Sequence, residues 1–174
     1  LLQLKKGENP IVAGEKIPIV DYINKLSTQS KQHIPLTLKL WKESIKSSDQ
    51  SILTNGLKLI ESFLFSNKIL KFYTGEIENS FNRWCIDLPE GDIDNANEYL
   101  INERNNLISE RTSQVHIELH KADTMGHSKQ FIRWCLIRIE NYLQNITAEN
   151  SPQSLMDAFK AFQIEHIIPK NVYA

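Results

Sequence analysis

Apolar positions along the chain recur mostly at helical spacing. Ile19, Ile23 and Leu26, with Val20 beside them, follow Pro18 and precede the polar run 27–32, which predicts a first helix. Leu38, Trp41 and Ile45 continue the pattern after Pro35, a residue suited to a first helical turn. Asp49 is placed to cap the next helix. Its stripe Leu53, Leu57, Ile60 and Leu64 has spacings of four, three and four, so the side chains share one face. Leu70, Tyr73, Ile77, Phe81, Trp84 and Leu88 form a further stripe, weakened at Gly75 and broken by Pro89 and Gly91. Asp92 or Asp94 caps a more polar helix through about Ile108, with Ala96, Leu100 and Leu107 inward. The clearest period runs over 128–145, where Ile132, Cys135, Leu136, Ile139, Tyr142 and Leu143 share a face behind a Ser128 cap. A shorter helix holding Leu155, Phe159 and Phe162 follows Pro152.

Two places break the helical period. Val115, Ile117 and Leu119 alternate with His116, Glu118 and His120, which fits a strand with one apolar face; read as a helix, His116 and His120 are one turn apart. At the C-terminus Phe162, Ile164, His166 and Ile168 alternate with their neighbours until Pro169, as in a strand entering a turn. The expected fold is therefore all-α, an irregular multi-helix domain over 1–160 with a short C-terminal strand. Phe81–Ile86 and Phe131–Leu136 match at four of six positions, 50 residues apart. Both Trp-Cys pairs in this echo read as core packing whose indole N–H groups need partners.

Composition narrows the class. At 174 residues and 20.1 kDa, the chain is one domain or two small ones. It is 41% hydrophobic and 24% charged with mean hydropathy -0.36, which excludes a disordered tail, a collagen-like chain and a disulfide scaffold. No apolar run is long enough to span a membrane, and residues 1–6 lack the pattern of a secretory signal. Lys plus Arg is 20 against 21 Asp plus Glu, so any DNA contact must come from a local patch or from chain outside this segment. Cys85 and Cys135 lie in apolar helical patterns and read as reduced core residues, which points to a cytoplasmic protein. The first residue is Leu1 rather than Met, and the chain is expected to be a piece of a longer polypeptide.

The candidate chemistry concentrates near the C-terminus. His166 suits a general base on water, because imidazole titrates near neutrality. Its neighbour Glu165 is a hard oxygen ligand for Mg²⁺ or Mn²⁺. A metal and a base together suffice for phosphodiester hydrolysis. A second constellation, His116, Glu118, His120, Asp123 and His127, contains potential metal ligands. It lacks the His-Glu-x-x-His order and reads first as a solvated or hydrogen-bonded cluster. Basic residues beside aromatics occur at Lys68, Lys71 and Tyr73, and at Lys129, Arg133, Trp134 and Arg138. Such a stripe suits either a phosphate backbone or a plain solvated face. No glycine-rich phosphate loop and no nucleophile elbow is present.

Glu165-His166-Ile167-Ile168-Pro169-Lys170 resembles the opening strand of HNH nucleases, the ββα-metal class. Reached through a helix such as Phe131–Glu140, it resembles more narrowly the C-terminal half of GmrSD-type modification-dependent restriction endonucleases. The resemblance implies a long helical region, here 1–160, and the first strand of a truncated HNH-like nuclease module at 161–174. It implies His166 as general base and Glu165 as ligand to Mg²⁺ or Mn²⁺. A nucleoside triphosphate would be bound outside this segment. DNA would be the partner, no membrane would be involved, self-association stays open, and the role would be restriction of foreign DNA in phage defence. Lys129, Arg133, Arg138 and Lys170 are the candidate DNA contacts. The second strand, the helix and the later Asn and His of the unit are missing, so the segment alone is expected to be inactive. The alternative is a non-catalytic helical interaction module that binds protein or DNA.

Overall fold

The computed structural model describes residues 11–12, 15–16 and 31–121, together with 131 and 135. By packing, the chain divides into Leu1–Asp123 and Thr124–Ala174, and every element described below belongs to the first unit. The expected helices at 19–26, 128–145 and 155–162, the C-terminal strand and the boundary at 160 fall outside the described residues, apart from the helical positions Phe131 and Cys135. Two short strands, β1 (Ile11–Val12) and β2 (Glu15–Lys16), pair antiparallel with Ile11 opposite Lys16 and Val12 opposite Glu15. Four helices follow: α1 (Ile34–Ser47), α2 (Ser51–Leu70), α3 (Thr74–Asp87) and α4 (Ile93–Lys121). The all-α expectation holds for this region.

Helix α1 begins with Pro35 in its first turn, where the missing N–H costs nothing. It ends at Ser48 in the left-handed conformation. Its buried face differs from the expected one. Leu36, Thr37, Leu40, Glu43 and Ser44 are buried, whereas Leu38 and Trp41 are half-buried and Ile45 is 60% exposed. Leu36, Leu40 and Ser44 also recur every fourth residue, so two lines compete on this helix. The line that wins is the one that meets Gly56 on α2, whose bare backbone leaves room for Leu40.

The N-cap of helix α2 is Gln50 rather than the expected Asp49; the Asp49 carboxylate, one residue earlier, still accepts the Ser51 N–H at 2.7 Å and satisfies a free donor of the first turn. Leu53, Leu57, Ile60 and Leu64 are all buried, as the stripe predicts. Ile52, Leu59, Phe63 and Ile69 are buried too, so α2 is covered on most sides and forms the centre of the domain. Each such side chain contributes roughly 1.5–3 kcal/mol relative to exposure.

The expected single stripe over 70–88 is in fact two helices. Lys71 takes a left-handed conformation with φ 58° and its N–H bonds the Asn67 carbonyl at 2.8 Å, which ends α2. Gly75 then falls in the first turn of α3, where its helix cost is small. Phe81, Trp84 and Leu88 are buried as expected, but Tyr73 is 82% exposed. Gly91, with φ 78°, makes the turn into α4, and Asp92 caps that helix by accepting the Asn95 N–H at 3.1 Å. Ala96, Leu100 and Leu107 point inward as predicted, but α4 runs on to Lys121 rather than stopping near Ile108.

Side-chain contacts fix the directions. Leu40 meets Gly56, while Glu43 and Ser47 share a cleft with Ile52 nearer the connecting turn, so α1 and α2 are antiparallel. Ser51 and Asn55 meet Asn97, Ser62 meets Arg104, and Ser66 and Asn67 meet Arg111, so α2 and α4 run parallel. Gln32 reaches Thr74, and Lys39 reaches the carbonyls of Cys85 and Leu88, so α1 and α3 are also parallel. Phe63, Phe81 and Trp84 meet edge to face at 4.9–5.8 Å in the middle of this arrangement. Among the described residues, no helix is long and apolar enough to cross a membrane.

Candidate functional site

The residues singled out for catalysis and DNA contact, Glu165, His166 and Lys170 with Lys129, Arg133 and Arg138, lie outside the described residues. Asp123 and His127 do as well, and of His120 only the helical backbone is described. His116 and Glu118 stand exposed on α4. The alternation at 115–119 is thus helical and the strand expectation there is corrected, because α4 continues without a break from its Asp92 cap. Among the described residues, no group of three His, Cys, Asp or Glu side chains is placed to hold a metal ion.

Both cysteines are free and half-buried. Burial pushes the Cys135 thiol up to about 11, so it stays protonated at neutral pH and is a poor nucleophile. The two copies of the echo share a pattern: Phe81 and Phe131 are buried, Cys85 and Cys135 half-buried. Trp84 finds the partner its indole needs, donating from Nε1 to the Glu103 carboxylate at 2.5 Å. Arg83 Nη2 donates to the same oxygen at 2.8 Å. One carboxylate on α4 therefore ties down two adjacent residues of α3.

A second group sits where α2 meets α3. The Arg111 guanidinium lies 4.7 Å from the Phe63 ring and 4.5 Å from the Phe72 ring, and donates to Ser66 Oγ at 2.9 Å and Asn67 Oδ1 at 2.7 Å. Burial lowers its pKa from the ordinary value, with Glu110 and Glu76 opposing the shift. In the same stretch of chain as Asn67 and Phe72, Lys68, Lys71 and Tyr73 are exposed. Composition drew attention to these three. It did not point to Arg111 or Phe72, although Asn97, Arg104 and Arg111 recur every seventh residue and so mark one face of α4.

A half-open cleft of about 250 Å³ lies between the end of α1 and the turn into α4, lined by Glu43, Lys46, Ile52, Gly91 and Asp92 among others. Its polar groups are engaged: Lys46 donates to Glu43 at 2.7 Å, which raises the ammonium pKa, and Asp92 caps α4. Beside it Lys39 donates to Glu90 at 3.0 Å and holds that carboxyl below its ordinary value. Lys39 also caps the last carbonyls of α3, at Cys85 and Leu88. No protein-family model, curated protein or solved structure matches the chain.

Proposed function

We propose that the chain is the helical region, and the opening strand of the nuclease module, of a metal-dependent endonuclease of the modification-dependent restriction class. The string Glu165-His166-Ile167-Ile168-Pro169-Lys170 carries this reading, following a long helical region. Helices α1–α4 suit a spacer, because α2 is buried on most sides and packs against both α1 and α4 in one unit. In the intact enzyme Glu165 would hold Mg²⁺ or Mn²⁺, which would supply charge stabilisation for the departing oxygen, and His166 would take the proton from the attacking water. Lys129, Arg133, Arg138 and Lys170 neutralise backbone phosphates. The nucleoside triphosphate acts in another part of the enzyme.

The test is His166→Ala in the polypeptide that carries the whole nuclease module. DNA cleavage with Mg²⁺ or Mn²⁺ should disappear while folding and nucleotide hydrolysis persist; cleavage at the unmodified rate refutes the assignment. A second reading, a non-catalytic docking module, draws on Ile101 and Ile108. They lie seven residues apart on α4 and remain 44% and 42% exposed. Self-association through that face would give a concentration-dependent mass in light scattering that Ile101→Asp with Ile108→Asp abolishes.

A further inference from the structure

Phe72 and Tyr73 are neighbours in the short connection between α2 and α3, yet they meet opposite fates. Phe72 is half-buried, its ring 4.5 Å from the Arg111 guanidinium. Tyr73 holds its ring out, 82% exposed. The backbone that carries it is pinned on both sides. The Lys71 N–H bonds the Asn67 carbonyl at 2.8 Å, the Tyr73 carbonyl accepts from Glu76 and Ile77 at 3.1 and 3.3 Å, and Gln32 Nε2 donates to the Thr74 carbonyl at 3.3 Å. With the backbone held, the side chain's own rotation is the main freedom lost when a flat partner stacks on the ring.

The charges beside it are cationic on the α2 side. Lys68, in the last turn of α2, and Lys71, just past its end in the left-handed conformation, are both exposed. Lys31 is exposed next to Gln32, which reaches this corner. On the α3 side Glu76 and Glu78 are exposed, and the Glu76 carboxylate accepts the N–H of Tyr73 at 3.4 Å. The positive patch therefore ends at α3. Ammonium groups beside an open ring match a strand whose phosphates and unpaired base faces are both accessible. A duplex hides those faces.

We propose that the α2–α3 corner, formed by Lys68, Lys71 and Tyr73 with Lys31 alongside, binds single-stranded nucleic acid, a base stacking on Tyr73 and the flanking phosphates meeting the lysines. This is independent of His166: it concerns binding by the 174-residue chain itself and involves no cleavage.

Fluorescence anisotropy with labelled oligothymidylate and oligouridylate tests it. Both strands should bind, more weakly as salt rises, and the tighter one shows whether DNA or RNA is preferred. Tyr73→Ala should weaken binding about tenfold, whereas Tyr73→Phe should stay within about twofold, because stacking uses the ring and not the hydroxyl. Lys68→Glu with Lys71→Glu should weaken it at least as much and flatten the salt dependence. Unchanged far-ultraviolet circular dichroism, expected at exposed positions, separates binding loss from unfolding. Four results overturn the proposal: no binding by the unmodified chain, no effect of Tyr73→Ala, an equal loss in Tyr73→Phe, or equal affinity for inorganic polyphosphate, which has charge but no bases.

Discussion

Replacing Gly56 with alanine offers a test in which the sign of the effect depends on another residue. A Cβ at position 56 would lie 2.3 Å from Leu40 Cδ1, 2.6 Å from Cδ2 and 2.9 Å from Cγ. Carbon atoms rest at about 3.5–4.0 Å, so Leu40 must move. It is fully buried and has nowhere open to go. Overpacking of this kind costs roughly 1–3 kcal/mol, while alanine recovers about 1 kcal/mol of helix propensity. Gly56→Ala should therefore destabilise the native chain by about 1 kcal/mol. Leu40→Ala alone should cost roughly 2–5 kcal/mol through the cavity it leaves. In that background the obstructing atoms are gone, and Gly56→Ala should now stabilise by about 1 kcal/mol. The two substitutions thus couple by about 2 kcal/mol, well outside the spread expected of independent sites. Urea denaturation followed by circular dichroism gives the four midpoints of the cycle. An equal shift from Gly56→Ala in both backgrounds, or a stabilised single variant, would show that Leu40 and Gly56 do not pack as described.

Two further predictions concern buried polar groups. His33 is only 5% exposed, its Nδ1 has no hydrogen-bond partner and its ring centroid is 6.3 Å from that of Phe81; burial and the nearby Lys31 lower its pKa from 6.5 to about 4. The unfolded chain then binds the proton first, so stability is intact above about pH 6.5 and falls as pH drops toward 4, by about 3 kcal/mol from this group. Denaturation midpoints across that range should show a loss that His33→Phe removes; an unchanged slope in the variant would assign the loss elsewhere. Glu103→Ala should cost roughly 1–3 kcal/mol, because it strands the indole N–H of buried Trp84. Arg83→Ala should cost under about 1 kcal/mol, since the Arg83 side chain is 60% exposed in its pair with Glu103. Equal midpoints for the two variants would contradict the role given to the indole.

Legibility in the sequence tracked how a segment's neighbours constrain it. The stripe of α2 was readable because apolar residues at spacings of four, three and four have one outcome, a shared buried face. That Ile52, Leu59 and Phe63 are buried as well was not, because periodicity cannot count the partners around a helix. On α1 two lines at helical spacing were available. The choice between them rested on Gly56, which lies on another element. The break at 71–73 carries no glycine or proline. It coincides with a tertiary contact, the Arg111 guanidinium some forty residues later lying 4.5 Å from the Phe72 ring. The alternation at 115–119 was ambiguous in period, and the continuity of α4 from its cap resolved it as helix. The indole partner was foreseen as a need, and only the fold could name Glu103. For Glu165 and His166 the string itself remains the evidence, and the experiment on His166 is the one that bears on it.

The parallel course of α2 and α4 has a consequence for the order of assembly. A hairpin can join α1 to α2 as soon as both exist, but two helices pointing the same way need the returning helix α3 between them. The bonds from Ser51 to Asn97 and from Ser66 to Arg111 close loops of 46 and 45 residues. Their entropy must be overcome before the contacts help. A chain emerging from the ribosome therefore leaves one flank of its central helix wet until Arg111 has been made, and synthesis halted before that point would yield a sticky, half-covered intermediate.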